Sequence, residues 1–276
     1  MLDPWGKPFT VQAMQQSLKR LHSLLNRYWR VGGTAISFTA FGVGGIVLRL
    51  IVFPLLNLVV RDEHSRTIWA RRFIRIAFRT FVELMSALGV LSYRISGQER
   101  LQRSGLLILA NHPSLIDTVL LMAFVRQADC IVKSTLWRNP FTRGPVRAAG
   151  YISNTQGPEL VADCISSMRS GGNLIIFPEG TRTPADGNMS FKRGAANVAV
   201  RGACAITPVI IRCTPATLGK GNKWWKVPAT MAHFEIEIQQ DIHIRDIPGV
   251  TGDAGNPTLA ARQLTSYLQN YFMKES

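Results

Sequence analysis

The sequence predicts an α/β fold, a mostly parallel mixed sheet flanked by helices, preceded by an N-terminal membrane-associated helical segment. Three observations carry that expectation. Residues 34–60 are almost uninterruptedly apolar, and after Gly97 short Ile-, Leu- and Val-rich runs alternate with stretches of helical period. The 276-residue chain is also 46% hydrophobic and carries 32 Lys+Arg against 17 Asp+Glu, so it is both core-forming and strongly basic. Such a composition excludes a disordered chain. Cys130, Cys164, Cys204 and Cys213 show neither a CxxC pair nor zinc-ligand spacing. They read as small core residues of a reducing compartment and exclude a cystine-stapled secreted domain. A net charge of +15 calls for an anionic partner: nucleic acid, an anionic membrane face, or an acidic or phosphorylated molecule.

The pattern divides the chain into a membrane-anchoring helical region, residues 1–91, and an α/β domain, residues 92–276. Only Arg49, Pro54 and Asn57 interrupt the apolar segment 34–60. As a helix it would be roughly 40 Å long, more than the roughly 30 Å of bilayer hydrocarbon, so it must tilt or break at Pro54. Lys19, Arg20, Arg27 and Arg30 precede it; Arg61, Arg66, Arg71 and Arg72 follow it. Positive charge favours the cytoplasmic face, so a single span satisfies one flank. A re-entrant hairpin bent near Gly42, Gly44, Gly45 or Pro54 satisfies both, and the two readings stand side by side. About thirty mixed residues ahead of the run argue against a cleaved signal peptide. Across 68–91, Arg71, Arg72, Arg75 and Arg79 alternate with a face of Ile74, Phe78, Phe81, Leu84 and Leu88. That is a basic amphipathic helix, lying at lipid headgroups or covering the next domain; each Arg near an anionic surface contributes about 1 kcal/mol.

In the α/β domain, residues 106–110, 130–132, 174–177 and 207–211 read as buried strands, and 114–125, 158–168 and 193–201 as helices. Residues 234–244 alternate like a half-exposed strand, and 259–272 form a closing helix. The loop 216–228 carries Trp224 and Trp225 beside Lys223 and Lys226, either an interfacial anchor or a partly buried cover. No internal repeat is present.

Function in such sheets collects in loops beyond the carboxyl ends of strands. One such loop is Asn111-His112-Pro113-Ser114-Leu115-Ile116-Asp117. Pro113 suits the first helical position, so Asp117 would sit about one turn in and fold back on one imidazole nitrogen of His112. A pair of that kind is a general base: the carboxylate fixes the tautomer, and the other nitrogen takes a proton from a hydroxyl. The second loop is Phe177-Pro178-Glu179-Gly180-Thr181-Arg182-Thr183, followed by Phe191-Lys192-Arg193-Gly194 at a helix start. Arg182, Lys192, Arg193 and a helix N-terminus make an anion site, with phosphate the obvious ligand.

These residues resemble the glycerolipid acyltransferases, in particular the bacterial 1-acyl-sn-glycerol-3-phosphate (lysophosphatidic acid) acyltransferases. Four blocks of that family occur in order. They are Asn111-His112 through Asp117; Lys133-Ser134-Thr135-Leu136-Trp137 with Asn139-Pro140-Phe141 and Gly150; Phe177 through Arg182 with Phe191-Lys192 and Gly194; and Ile206-Thr207-Pro208-Val209. The resemblance implies a membrane-bound acyltransferase with His112 as general base and Asp117 as its partner. It implies an acceptor pocket shaped by Glu179, Gly180, Thr181 and Arg182, with Lys133 on the headgroup and Arg143, Arg147, Lys192 and Arg193 as further anion contacts. An acceptor hydroxyl would attack an acyl thioester of coenzyme A or acyl carrier protein, without metal, cofactor or covalent acyl-enzyme. An oxyanion stabiliser is needed, and a backbone N–H near His112 or Gly180 is the expectation. Membrane lipids and a lysolipid are the implied partners, and the inner membrane with a cytoplasm-facing site is the implied location. The chain departs from the family at Gly150-Tyr151-Ile152-Ser153-Asn154, where Asn154 stands in place of an expected arginine. Asn lacks a bidentate cationic grip on phosphate, which leaves the acceptor open to another lysolipid or a specialised lipid, acylated on oxygen or nitrogen. A non-catalytic lipid-binding protein of the same shape is the remaining alternative. No zinc-finger or RNA-binding signature supports a nucleic-acid partner.

Overall fold

The computed structural model describes residues 11–138, 142–154, 159–184, 186–221, 225–247, 250 and 256–276. Two motif stretches, Asn139-Pro140-Phe141 and Lys223-Trp224, lie outside the described residues, as does the expected helix start at Pro158.

The N-terminal region is a helical hairpin. Helix α1 (Val11–Val47) passes through a π-helical segment (Leu48–Val52) into α2 (Phe53–Val59) without a break. The expected bend at Gly42–Gly45 or Pro54 is replaced by local widening. Pro54 has no N–H to give, and the Phe53 N–H reaches back to the Leu48 carbonyl. The chain turns instead at residues 60–62, where Asp62 caps helix α3 (Glu63–Ala87) by accepting the Ser65 N–H at 2.7 Å. Helix α3 then runs back along α1. Phe41 meets Phe78 and Phe81, Phe38 meets Phe81, and the Trp29 indole N–H donates to the Leu88 carbonyl. Of the predicted apolar face of α3, Ile74 and Phe81 are buried and the rest are half-buried or pack against the core.

The domain is a seven-stranded mixed sheet in the order β1-β7-β6-β2-β5-β3-β4. Its strands are β1 (Leu91–Ser96), β2 (Leu107–Ala110), β3 (Ala128–Val132), β4 (Ile152–Ser153), β5 (Asn173–Ile176), β6 (Ile206–Thr214) and β7 (Ala232–Ile238). Every pairing is parallel except β6 with β7. The carboxyl ends of β2, β3, β5 and β6 therefore share one edge. Side chains alternate across the sheet: Ile108, Ala110 and Ile175 face α3 and α4 (Ile116–Phe124), while Leu107, Leu109, Leu174 and Ile176 face the other core. Helices α7 (Glu159–Arg169), α8 (Gly194–Gly202) and α9 (Pro257–Glu275) cover that second face, and α5 (Ser134–Arg138) and α6 (Arg143–Ala148) join β3 to β4.

Three expectations shift. Helix α4 begins at Ile116, so Pro113 precedes the helix and does not open it. The strand expected over 234–244 ends at Ile238, and Ile242 makes an isolated bridge to Ile206. Strands β1 and β4 and helices α5 and α6 are additions. The four cysteines are all unpaired thiols, with Cys164 buried.

Candidate active site

Strand β2 ends at Ala110, and Asn111 locks the following loop in place. Its carboxamide accepts the Ile211 N–H at 2.7 Å and donates to the Ile211 carbonyl at 2.8 Å, so the loop is clamped to β6. His112 comes next, its ring stacked on Phe177 at 4.2 Å between centroids. Phe177 follows β5, the neighbouring parallel strand, which is how the two sequence loops meet.

Asp117 lies in the first turn of α4 and its side chain is 0% exposed. Its Oδ2 stands 3.1 Å from His112 Nδ1 and accepts the Ser114 N–H at 2.6 Å. The fold-back onto the imidazole thus needs no helical Pro113: the Ser114 amide ties the carboxylate to the loop directly. With Nδ1 turned to Asp117, Nε2 is the outer nitrogen of a side chain that is 14% exposed. Burial pushes the Asp117 carboxyl up to about 6, while the hydrogen bonds from His112 and Ser114 pull it down.

Glu179 is buried beneath the same loop. Its Oε1 accepts the His112 backbone N–H at 3.0 Å and the Thr183 hydroxyl at 2.8 Å; Oε2 is buried without a partner among the described residues. The loop pair closes with the Thr183 N–H donating to the His112 carbonyl at 2.8 Å. Thr183, the last residue of that second loop and not among the expected site residues, therefore belongs to the site.

Gly180 sits at φ +65°. Its backbone favours glycine, and Lys192 lies over it: a Cβ there would meet Lys192 Nζ at 3.0 Å, Cε at 3.1 Å and Cδ at 3.2 Å. The structure brings Lys192 to the Glu179–Gly180 turn, where the Lys192 N–H donates to the Pro178 carbonyl at 2.8 Å. Thr181 is exposed beside it.

Among the backbone N–H groups near His112 and Gly180, where the oxyanion stabiliser is expected, those of the two residues themselves are engaged. The His112 N–H donates to Glu179, and the Gly180 N–H donates to the Phe177 carbonyl at 3.0 Å. Arg182 turns to the other side, its Nη1 donating to the carbonyls of Leu218 and Gly219 at 2.8 Å each. Leu218 also accepts the Leu115 N–H, so this loop bridges the Arg182 and Asp117 segments.

The remaining predicted contacts do not join this cluster. Lys133 is exposed at the end of β3, which is two strands from β2, or about 10 Å across the sheet. Arg193 is exposed at the N-cap of α8. Arg143 and Arg147 line a different cavity, beside the π-helical segment, α2 and α3. Asn154 is structural: its Oδ1 accepts the Ser134 N–H at 3.0 Å, fastening β4 to the start of α5.

Helix α1 reaches the same edge of the sheet. Thr34, Met85, Ile116, Leu218 and Phe234 line a small apolar cavity of about 20 Å³ behind the Asp117 helix. Arg30 is buried here, donating to the carbonyls of Pro228 and Ala229, so it binds protein and is lost to the basic flank counted from sequence.

Residues 92–212 match the family model described as Acyltransferase. A Caenorhabditis elegans protein, acl-2, whose name places it among 1-acyl-sn-glycerol-3-phosphate acyltransferases, is 34% identical over 145 residues, 48% of this chain and 50% of that protein. The 1-acyl-sn-glycerol-3-phosphate acyltransferase of Borreliella burgdorferi is 26% identical over 143 residues, 49% of this chain and 57% of that protein. The chain spans about half the length of the curated relatives it matches. In fold it is similar to the crystal structure of the 1-acyl-sn-glycerophosphate acyltransferase PlsC from Thermotoga maritima, with a TM-score of 0.63 and 20% identity, covering 93% of this chain and 96% of that one. The stretch that holds His112, Asp117, Glu179 and Lys192, residues 92–212, is therefore a domain of the acyltransferase family.

Proposed function

We propose that the protein is a membrane-associated acyltransferase that moves a fatty acyl group from an acyl thioester to the hydroxyl of a lysophospholipid such as 1-acylglycerol-3-phosphate. The observation that carries this reading is the His112–Asp117 pair, 3.1 Å apart, anchored by the Ser114 amide at the carboxyl edge of the sheet. The acceptor oxygen attacks the thioester carbonyl carbon while its proton passes to His112 Nε2. The tetrahedral centre then expels the thiolate of coenzyme A or acyl carrier protein, which takes the proton back from the imidazolium. Asp117 holds the imidazole tautomer and balances its transient charge. Lys192, laid over Gly180 on the exposed side of the second loop, would meet developing negative charge. Arg182, anchored through Nη1, would present the rest of its guanidinium to an acceptor phosphate.

The hairpin supports an interfacial membrane mode. Only 6% of the most apolar 18-residue stretch of the α1–α2 helix is buried, and Val43, Ile46, Leu50, Ile51, Leu55, Leu58 and Val59 are exposed. Helix α3 packs along that run, so a perpendicular span would drag Arg66, Arg72, Arg75 and Arg79 into hydrocarbon. Laying the apolar face of the hairpin into one leaflet avoids that cost and leaves the basic flanks on one side. The residues up to Ala87 then form the anchoring region and the remainder the catalytic domain, facing the cytoplasm.

One residue favours a second acceptor. Asn154, where a phosphate-gripping arginine is expected, is engaged with Ser134, so another lysolipid or specialised lipid would replace 1-acylglycerol-3-phosphate. Both readings are tested by incubating the detergent-purified chain with labelled acyl-CoA or acyl-acyl carrier protein and a panel of lysolipids, and identifying the product by mass. Transfer to a phosphate-bearing lysolipid, abolished in His112→Ala, is the expected result. Undiminished transfer by His112→Ala would eliminate the mechanism.

A further inference from the structure

Four arginines converge at a place that the acyl-transfer reaction does not use. Arg49, Arg66, Arg143 and Arg147 line a cavity of about 440 Å³ between the turn end of the hairpin and α6, together with Phe53, Pro54, Asn57 and Glu63. We propose that this cavity binds the phosphate headgroup of an anionic phospholipid of the surrounding membrane, at a site separate from the His112 centre.

Each part of the cavity fits that ligand. Arg49 is the one charged residue within the apolar run 34–60, so it brings a cation into a part of the hairpin that is otherwise apolar. It sits in the π-helical stretch Leu48–Val52, whose altered winding rotates side chains relative to the rest of the helix. Its stem runs past α6: a Cβ added to Gly144 would touch Arg49 Cγ at 3.5 Å. Arg147 lies across the Trp137 ring at 5.8 Å, which orients its guanidinium while leaving the N–H groups along its rim for an acceptor. Among the described residues Glu63 is the single carboxylate lining the cavity, so the balance of the lining is positive. Immediately beside the cavity, Leu50, Ile51, Leu55 and Leu58 are exposed. A ligand with a phosphate head and apolar tails satisfies both surfaces at once, whereas a free phosphate leaves the apolar flank in water.

The cavity is distinct from the catalytic centre. Thr34 marks where α1 meets the Asp117 and Leu218 segments. Arg49 lies fifteen residues further along the same helix, which at about 1.5 Å per residue is about 22 Å away. None of the residues lining the cavity is His112, Asp117, Glu179 or Arg182.

The proposal rests on the hairpin being membrane-facing and is independent of catalysis. It is tested on the full chain in non-ionic detergent by native mass spectrometry with dioleoyl phosphatidylglycerol, dioleoyl phosphatidylcholine and inorganic phosphate. One phosphatidylglycerol per chain, held at least tenfold more tightly than phosphatidylcholine, is expected. Arg49→Gln and Arg147→Gln should each weaken it about tenfold, in line with the loss of a charge-assisted hydrogen bond. Arg147→Lys on the exposed α6 surface should lose less than Arg147→Gln, which keeps the test valid if Arg49→Gln fails to fold. Arg182→Gln should leave retention unchanged. Loss of the lipid in Arg182→Gln alone would place it in the acceptor site and overturn the proposal. Displacement of the lipid by millimolar inorganic phosphate, or equal retention by all variants, would also overturn it. Co-sedimentation with phosphatidylcholine vesicles separates the two levels: binding there without a phosphatidylglycerol increment sinks this site alone, and no vesicle binding sinks the membrane reading.

Discussion

His112 Nδ1 lies 3.1 Å from Asp117 Oδ2, and the same carboxylate oxygen accepts the Ser114 N–H at 2.6 Å. One oxygen thus fixes both the imidazole and the loop that carries it. With its oxygen in the Oδ2 position, the side chain of Asp117→Asn would keep both the Ser114 amide and the Nδ1–H. The change removes the negative charge that balances the imidazolium, and it buries an NH₂ in the Oδ1 position, which has no partner among the described residues. Acyl transfer should fall by about 10²–10⁴ in kcat with the acceptor KM little changed. Steady-state kinetics with a saturating acyl donor check this, and an Asp117→Asn enzyme with full kcat would remove Asp117 from the mechanism.

Burial pushes the Asp117 carboxyl up to about 6 from an ordinary 3.8. The folded chain therefore takes up a proton as pH falls through about 6, whereas the unfolded chain waits until about 3.8. The group contributes stability that is present in full below 3.8 and is lost as pH rises through about 6. Activity moves the opposite way, because a protonated Asp117 no longer supports the imidazole as a base. The rate profile should show an acid limb near pH 6, and the stability of wild type relative to Asp117→Asn should rise between pH 7 and pH 4.5. Thermal melts of both proteins at the two pH values test the second half; parallel shifts would contradict it.

Glu179 is predicted to position His112 through the backbone. Its Oε1 holds the His112 N–H and the Thr183 hydroxyl, and Thr183 in turn donates its own N–H to the His112 carbonyl. Glu179→Ala strips a buried acceptor from two donors at a cost of about 1–3 kcal/mol and frees the loop. Glu179→Gln retains an acceptor oxygen and should recover most of kcat. Thr183→Val should lie between them, with kcat lowered several-fold. A purely structural role would lower melting temperature in all three without the kcat difference between Gln and Ala.

The parts of this site that the sequence discloses are those with short-range causes. His112 and Asp117 are five residues apart, and both loops announce themselves by following Ile- and Leu-rich runs. The contacts of Glu179 and Thr183 with His112 span 67 and 71 residues and exist because β2 and β5 are neighbours, a fact of strand order that no local pattern records. For the same reason Lys133 looks adjacent on paper but sits two strands away. Strand β1 alternates Leu91, Tyr93 and Ile95 but abuts a long helical pattern, and its partner, β7, arrives some 140 residues later. Arg30 and Asn154 show the opposite failure. Residue type alone makes the first a flank charge and the second a missing phosphate grip, while tertiary hydrogen bonds give both a structural use.

The strut between the hairpin and the sheet supplies the last prediction. Arg71 of α3 and Asp129 at the start of β3 are joined at 2.7 Å, with side chains 9% and 0% exposed. The Arg71 Nε–H donates to the Ala149 carbonyl at 2.8 Å, and the Ser167 hydroxyl donates to Asp129. Burial raises the Asp129 carboxyl, and Arg71 comes first among the groups that pull it down, ahead of Ser167 and the Cys130 N–H. Arg71→Met leaves the buried carboxylate without its cation and should cost about 3–5 kcal/mol. Arg71→Met combined with Asp129→Leu removes both charges and should restore a substantial part of the loss. The double change also leaves the Ala149 carbonyl and the Ser167 hydroxyl without partners, so recovery should stop short of wild type. Chemical denaturation of the single and double variants in detergent measures both terms. A single variant as stable as wild type would show that α3 is held to the sheet by apolar packing alone.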